Sequence, residues 1–275
     1  MSSRLSPTVL AIASAALLLT ACGSGSSSDT ATSSTGPTAS SSPSASASPG
    51  VTGEVTVLAA ASLTEPFTAL AKAFEAVNPD ARIKLSFGSS TTLAQQIAQG
   101  APADLYASAG EKALDQLSPE AKAKPTSMIA TYTLEIAVPA PNAGKVTGLK
   151  DLANESLQVV LCAETVPCGS AADSILKKAG VNAHVVSREV DVKATLAKVS
   201  LGEADAAIVY VSDVKTAGDK VTGVEIPADQ NTVLKYPLVQ LTTTPAAEAF
   251  AKFLAGPDGL KALQAAAAAD AAAAA

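Results

Sequence analysis

From Gly53 onward, short β-prone runs alternate with segments whose apolar residues recur at helical spacing. This alternation is typical of an α/β fold with helices packed on largely parallel sheets. In the first unit, residues 55–58 predict a strand, and residues 65–77 predict a helix with Phe67 and Phe74 on one face. The pattern predicts further strands at residues 83–87, 104–107, 134–138, 158–161, 206–211 and 238–241. It predicts further helices at residues 91–99, 149–152, 171–179, 192–201 and 245–254.

The charge of the chain excludes one class of partner. With a net charge of −6 and no basic stripe, the protein has nothing to neutralise the phosphates of a nucleic acid. A small anionic ligand is not excluded, because buried anions are commonly held by backbone dipoles at helix N-termini. The part of the chain from Gly53 onward is long enough for two small lobes or one larger domain.

The first 21 residues are predicted to be a signal peptide, in which Arg4 supplies a positive start and residues 9–19 a short apolar core. That core is too short to span a bilayer. Residues 19–22 (Leu-Thr-Ala-Cys) resemble the lipobox of bacterial lipoproteins, in which the cysteine is diacylated and becomes the first residue of the mature chain. We therefore expect Cys22 to anchor the protein to the outer face of the cell membrane. An ordinary signal peptide that contains a cysteine is the alternative.

Two segments are of low complexity. Between Cys22 and residue 52 the chain consists almost entirely of Ser, Ala, Thr, Gly and Pro, and it can bury too little apolar surface to fold. We expect a flexible linker of roughly 30 residues with an end-to-end distance of about 30 Å. Residues 262–275 are nearly all alanine, which predicts a frayed terminal helix without a function.

Two further cysteines, Cys162 and Cys168, lie in the folded part. In an exported protein such a pair is able to oxidise, and a disulfide closing so short a loop would add about 2–3 kcal/mol of stability in the chain-entropy model. The spacing does not fit C-x-x-C redox chemistry or a paired zinc knuckle, so no metal site is expected. The disulfide is favoured over two free thiols.

Small polar turns follow predicted strands and precede helical segments at residues 59–64, 88–92 and 167–170. In open α/β sheets ligands bind at the carboxyl ends of strands, where helix N-termini also meet. Each N-terminus offers unpaired N–H groups and a partial positive charge, which suit an anion. A single serine in such a turn would favour N-capping, whereas three turns of this kind favour a ligand. Glu189 and Asp191, which precede another predicted helix, are expected to cap it.

Five segments, in the same order and at comparable spacing, resemble the molybdate-binding proteins of ABC importers. They are Val-Leu-Ala-Ala-Ala-Ser-Leu at 57–63, Phe-Gly-Ser-Ser at 87–90, Gly-Ala-Pro-Ala-Asp-Leu at 100–105, Val-Pro-Cys-Gly at 166–169 and Ala-Ile-Val-Tyr-Val-Ser-Asp at 207–213. The resemblance extends from residue 53 to about residue 259 and implies an α/β, two-lobed class II periplasmic-binding-protein fold with the ligand in the cleft between the lobes. Lobe 1 would comprise residues 53–131 and 238–275, and lobe 2 residues 132–237.

The resemblance also implies the ligand contacts. In lobe 1, Ser62 and Ser90 would donate through both the hydroxyl and the backbone N–H. In lobe 2, Cys168 and Val192 would donate through the backbone N–H and Tyr210 through its phenol. Cys168 stands where the family is expected to have alanine. This difference need not weaken ligand binding, because the expected donor is the backbone N–H. The alanine-rich end also lacks the aromatic finish expected of the family's last helix.

The resemblance implies molybdate, or the nearly isosteric tungstate, as the ligand and the membrane permease of an ABC importer as the partner. A cleft that offers only donors favours fully ionised dianions over phosphate, whose proton needs an acceptor. Sulfate is smaller and would leave buried donors unpaired. We expect a monomer without a cofactor. The alternatives are a binder of another oxyanion such as sulfate, and an exported hydrolase. The hydrolase is disfavoured because the folded part has no G-x-S-x-G elbow and a single histidine, His184.

Overall fold

The computed structural model describes residues 50–267, so the predicted signal peptide, Cys22 and most of the linker lie outside the described residues, as does the end of the alanine-rich segment. The strands within that range are β1 Gly53–Ala60, β2 Ala81–Gly88, β3 Leu105–Ala107, β4 Thr126–Tyr132, β5 Leu134–Pro139, β6 Val159–Cys162, β7 Val185–Glu189, β8 Ala206–Tyr210, β9 Val221–Glu225 and β10 Leu234–Gln240. The α-helices are α1 Thr64–Val77, α2 Ser90–Ala98, α3 Pro119–Lys122, α4 Pro167–Ala179, α5 Val192–Ser200, α6 Val211–Ala217, α7 Pro245–Leu254 and α8 Pro257–Ala267. Short 3-10 turns cover Ala61–Leu63, Glu111–Gln116, Leu149–Ala153 and Gly218–Lys220.

The strands form two sheets, ordered β2-β1-β3-β10-β4 in sheet A and β7-β6-β8-β5-β9 in sheet B. Helices α1, α2, α7 and α8 pack on sheet A and form lobe 1, whereas α4, α5 and α6 pack on sheet B and form lobe 2. This arrangement confirms the predicted two-lobed α/β architecture. The sheets are mixed rather than largely parallel, because β10 pairs antiparallel with β3 and β4, and β5 pairs antiparallel with β8 and β9.

Burial explains why the central elements form where they do. All five residues of β8 are buried, as expected for a central strand covered on both faces, whereas the edge strand β2 alternates between more and less exposed residues. Helix α1 buries the predicted apolar face, and Phe74 packs edge-on against Phe250 of α7 with ring centroids 5.0 Å apart.

Several element boundaries differ from the prediction. Helix α4 begins at Pro167, four residues before the predicted start at residue 171, because proline's fixed φ suits the first helical position. The short helix predicted at residues 149–152 is the 3-10 turn Leu149–Ala153. Strands β4, β7 and β9 are absent from the predicted set; β4 and β9 pair antiparallel with strands distant in sequence, and β7 pairs parallel with β6. No helix among residues 50–267 is long and apolar enough to cross a membrane.

The chain passes from one sheet to the other twice. The first crossover is a single residue, Thr133, between β4 and β5. The return lies between β9 and β10, where the Asn231 side chain donates to the Leu134 carbonyl at 2.7 Å and so ties the two crossovers together. Residues 132 and 234–237, which the resemblance assigns to lobe 2, belong to β4 and β10, and these two strands pair with each other in sheet A.

Candidate ligand-binding site

A small cavity lies between the two lobes. All five residues that the resemblance assigns to ligand contact line it: Ser62, Ser90, Cys168, Val192 and Tyr210. The other lining residues are Ala60, Ala61, Gly88, Ser89, Ala109, Val166, Pro167 and Asp191. The fold therefore brings together, around one small space, residues that lie in separate parts of the sequence.

Strand ends and helix starts position these residues. In lobe 1, β1 ends at Ala60 just before Ser62, and β2 ends at Gly88 just before α2. In lobe 2, α4 and α5 begin at the cavity. The N–H groups in the first turn of each helix have no acceptor within the helix, and together they carry a partial positive charge. The cavity thus receives the positive ends of three helices.

Each of the two lobe 1 serine hydroxyls has a hydrogen-bond partner in the protein and keeps its own proton for a ligand when that partner is the donor. Ser62 Oγ lies 3.0 Å from the Tyr236 hydroxyl, and Ser90 Oγ accepts from the Ala109 N–H at 2.9 Å. Because Ser90 is the acceptor in its bond, its own proton remains free to donate; the same holds for Ser62 when Tyr236 is the donor. Neither serine caps its helix, so the capping alternative is wrong for both.

The start of α4 is fixed against the end of β6. Cys162, the last residue of β6, forms a disulfide with Cys168 in the first turn of α4. A Cβ at Gly169 would clash with the Ala163 carbonyl oxygen, so only glycine allows this close approach. Together the disulfide and the glycine hold the first turn of α4 against the end of β6.

Tyr210 provides the cavity's phenol. It is the last residue of β8, is 1% exposed, and packs edge-on against Tyr132 and Tyr236 with ring centroids 6.2 and 6.0 Å away. Burial and the nearby Asp213 carboxylate raise the pKa of Tyr210, so the hydroxyl stays protonated. Despite its closeness to Tyr236, this hydroxyl makes no hydrogen bond of good geometry within the described residues. A buried donor without an acceptor is costly, and a bound ligand would supply one.

Two lining residues were missed by the sequence prediction. The buried Ser89 hydroxyl has no hydrogen-bond partner within residues 50–267, and its place beside Ser90 in the same Gly-Ser-Ser turn was the available signal. Asp191 lines the cavity as well, and its Oδ1 accepts from the Ala194 N–H at 2.9 Å. Its predicted role as an N-cap is confirmed, whereas Glu189 is not a cap and instead accepts from the Ser187 hydroxyl.

The charged residues around the cavity determine how an anion would be held. The residues that line it include no Lys, Arg or His, so any anion would be held by neutral donors and helix dipoles. Asp191 is the one acidic residue among those that line the cavity, and its Oδ1 is engaged by the Ala194 N–H. Within the described part of the chain, no group of three or more His, Cys, Asp or Glu residues is placed to hold a metal ion.

Comparison with known proteins assigns the family. A family model described as bacterial extracellular solute-binding protein matches residues 55–266. The chain belongs to this family. The solute-binding protein is 38% identical over 192 residues to the molybdate-binding protein ModA of Mycobacterium tuberculosis, an alignment that covers 69% of this chain and 73% of ModA.

Solved structures show the same architecture. The solute-binding protein matches the substrate-binding domain of a candidate molybdenum ABC transporter from Clostridium difficile with a TM-score of 0.59 and 30% identity, covering 78% of this chain and 97% of that one. It matches the sulfate-binding protein SubI of Mycobacterium tuberculosis with a TM-score of 0.68 and 21% identity, covering 78% and 85% of the two chains. At that identity the second match shows the fold alone. Both matches agree with the two-lobed fold predicted from the sequence.

Proposed function

We propose that this solute-binding protein captures molybdate, or the nearly isosteric tungstate, between its lobes and delivers it to the permease of an ABC importer. The observation that carries the proposal is the Tyr210 hydroxyl, which is buried and unpaired at a cavity that also holds Ser62, Ser90 and the starts of α4 and α5. A tetrahedral anion has acceptor oxygens for donors that converge from several directions. The identity to ModA supports molybdate as the anion.

The ligand also explains how the two lobes would work together. Ser62 and Ser90 belong to lobe 1, whereas Cys168, Val192 and Tyr210 belong to lobe 2. An anion contacted from both sides binds the closed form more tightly than the open form, and this difference in affinity drives closure. The closed form would then be what a permease recognises.

Parallel calorimetric titrations with molybdate, tungstate, sulfate and phosphate test the proposal. We expect similar affinities for the first two and weaker binding of sulfate, whose smaller size would leave donors unpaired. Phosphate is an informative arm because Asp191 is among the residues that line the cavity, and its carboxylate would be the acceptor for a protonated oxyanion. The proposal fails if molybdate gives no binding heat, or if sulfate binds more tightly than molybdate. In a thermal unfolding assay, molybdate at a hundred times its Kd should add about 2.7 kcal/mol of stability.

The membrane anchor is proposed from the sequence around Cys22, where a small residue precedes the cysteine and a low-complexity segment rich in Ser, Ala, Thr, Gly and Pro follows. The family is an extracellular one, which agrees with export. We expect Cys22→Ala to release the protein from the membrane fraction without changing its affinity for molybdate, because about 40 residues separate Cys22 from Ser62, the first of the proposed site residues. Mutant protein that stays in the membrane fraction would contradict the lipid anchor.

The exported hydrolase is not proposed. The family is one of binding proteins. His184 does not line the cavity, and its Nδ1 lies 3.1 Å from the Leu157 carbonyl oxygen.

A further inference from the structure

Three charged residues form a cluster beside the cavity without lining it. Lys193 Nζ lies 2.8 Å from a carboxylate oxygen of Glu65 and 3.2 Å from one of Asp213. Glu65 is in the first turn of α1 in lobe 1, whereas Lys193 and Asp213 are in the first turns of α5 and α6 in lobe 2. The Lys193–Glu65 ion pair therefore crosses from one lobe to the other, and the Lys193–Asp213 pair lies within lobe 2.

Each member of the cluster follows a cavity residue closely in the chain. Glu65 comes three residues after Ser62, Lys193 directly follows Val192, and Asp213 comes three residues after Tyr210. Each charged residue and its neighbouring cavity residue lie at the same helix start. A movement that separates Glu65 from Lys193 therefore also separates the ligand donors of lobe 1 from those of lobe 2.

We propose that Lys193 is a positioning residue for ligand capture. Asp213 holds Lys193 in lobe 2, and Lys193 binds Glu65 of lobe 1 in the closed form, which slows the release of the ligand. This inference rests on the proposed function, since it concerns release of the oxyanion from the same cavity. Lys193 does not line the cavity and so acts through the position of its neighbours.

The burial of the three side chains determines how much the pair contributes. The side chain of Asp213 is 1% exposed, that of Lys193 26% and that of Glu65 47%. Fully exposed ion pairs contribute little, partly because two mobile side chains must be ordered. Lys193 is already held by Asp213, so closure has less side-chain freedom to remove. We expect the pair to change the dissociation rate by about three- to tenfold.

The charge states favour the pair at neutral pH. Burial alone would lower the pKa of Lys193, but the Asp213 and Glu65 carboxylates raise it above its usual value, so the ammonium group stays charged. Burial raises the pKa of Asp213 to about 6, against the effect of Lys193, and most of this carboxylate is still ionised above that pH. The other titratable groups near the cluster are the phenols of Tyr132, Tyr210 and Tyr236, which burial keeps protonated, and Lys215, which lines a groove together with Glu65.

The test compares two glutamate variants of the mature protein. Glu65→Gln removes the charge that crosses between the lobes and leaves the Lys193–Asp213 pair intact. Glu203→Gln is the matched control, because it removes the same charge from the Lys198–Glu203 pair, which is 2.7 Å long and lies within lobe 2. Radiolabelled molybdate is bound to each protein and then displaced by excess unlabelled molybdate, which gives the dissociation rate. Association rates and melting temperatures are measured alongside.

Glu65→Gln is expected to release molybdate about three- to tenfold faster, with the association rate and the melting temperature close to those of the wild type. Glu203→Gln is expected to release it at the wild-type rate. In a Lys193→Gln background, Glu65→Gln should cause no further acceleration, because its partner is already absent. Wild-type release from Glu65→Gln, or equal acceleration by both variants, overturns the role of Lys193 and leaves the binding function intact. Failure of the wild type to bind molybdate overturns the proposed function instead, and this inference with it.

Discussion

The two lobes hold their ligand donors in different ways. In lobe 1 the serine hydroxyls already have protein partners, Tyr236 for Ser62 and the Ala109 N–H for Ser90. In lobe 2 the starts of the helices offer backbone N–H groups, and the Tyr210 hydroxyl has no hydrogen-bond partner within the described residues. Ser62 and Ser90 are thus held by hydrogen bonds within lobe 1, although the neighbouring Ser89 hydroxyl is unpaired among residues 50–267, whereas a ligand would complete the hydrogen bonding of Tyr210 in lobe 2. Substitutions in lobe 1 should therefore change stability and binding together, and substitutions in lobe 2 should separate them.

Ser90→Ala is expected to have the largest effect. It removes a hydrogen bond to the proposed anion, worth about 1.5–3 kcal/mol, which weakens binding by roughly ten- to a hundredfold. It also leaves the buried Ala109 N–H without its acceptor, so the free energy of unfolding should fall by about 1–3 kcal/mol. Calorimetric titration and urea unfolding measure the two effects.

Ser170→Ala is the matched control for Ser90→Ala. Ser170 is half-buried in the first turn of α4 and donates to the Pro167 carbonyl, but it does not line the cavity. Its loss should leave molybdate affinity unchanged. A stability loss in Ser90→Ala with wild-type affinity would mean that the serine has only a structural role.

Tyr210→Phe should weaken binding as much as Ser90→Ala without destabilising the protein. The ligand would lose the hydrogen bond that the phenol donates. No protein acceptor would lose a hydrogen bond, since the hydroxyl is unpaired among residues 50–267. We expect affinity to fall roughly ten- to a hundredfold and the free energy of unfolding without ligand to stay equal or rise. The measurements are titration and urea unfolding.

Tyr106→Phe provides the contrast in lobe 1. The Tyr106 hydroxyl donates to the Ser90 carbonyl at 2.7 Å, and burial raises its pKa to about 12. Removing this hydroxyl should lower stability by about 1 kcal/mol. If Tyr210→Phe destabilised the protein to the same extent, the difference proposed between the lobes would be wrong.

Asp213→Asn should change the pH dependence of stability, because lobe 2 buries this carboxylate beside its ligand donors. Burial raises the pKa of Asp213 from 3.8 to about 6. Between those values the folded protein binds a proton that the unfolded chain does not, so the group's contribution to stability increases as pH falls through 6 and is lost as pH rises. The wild type should therefore gain stability relative to Asp213→Asn, on the order of 2 kcal/mol, between pH 7.5 and pH 4.5. Parallel profiles of unfolding free energy without ligand would contradict this shift.

How much of the site could be predicted depended on whether its residues follow a local pattern. The strand, turn and helix sequences locate Ser62 and Ser90, because a strand end and the next helix start are adjacent in the chain. The partner of Ser62 is Tyr236, which is 174 positions away, and no local pattern indicates that pairing. Strands β4 and β9 were missed because their own residues do not alternate regularly between buried and exposed positions, so their sequences carry no clear strand pattern.

The charges near the site were also poorly predicted. The position of Asp191 before a helix predicts an N-cap, and the cap is observed, but its place in the cavity lining depends on how the two lobes meet. The Glu65–Lys193 pair likewise joins residues 128 positions apart. Local sequence identifies the capping residues, whereas the contacts between lobes required the assembled fold.

Val192→Ala is the smallest expected change in binding and the most direct test of the backbone donors in lobe 2. Val192 is the first residue of α5 and is 3% exposed, so shortening it should lower stability by about 1–2 kcal/mol through lost burial. Molybdate affinity should stay within about twofold of the wild type, because a hydrogen bond to an anion depends on the N–H and not on the side chain. Val192→Pro is the counterpart, since proline is accepted at the first helical position but has no N–H, and the extended backbone of Asp191 suits a residue before proline. That variant should bind roughly ten- to a hundredfold more weakly. Equal weakening by alanine and proline would assign the contact to the valine side chain, and wild-type affinity in Val192→Pro would remove this N–H from the site.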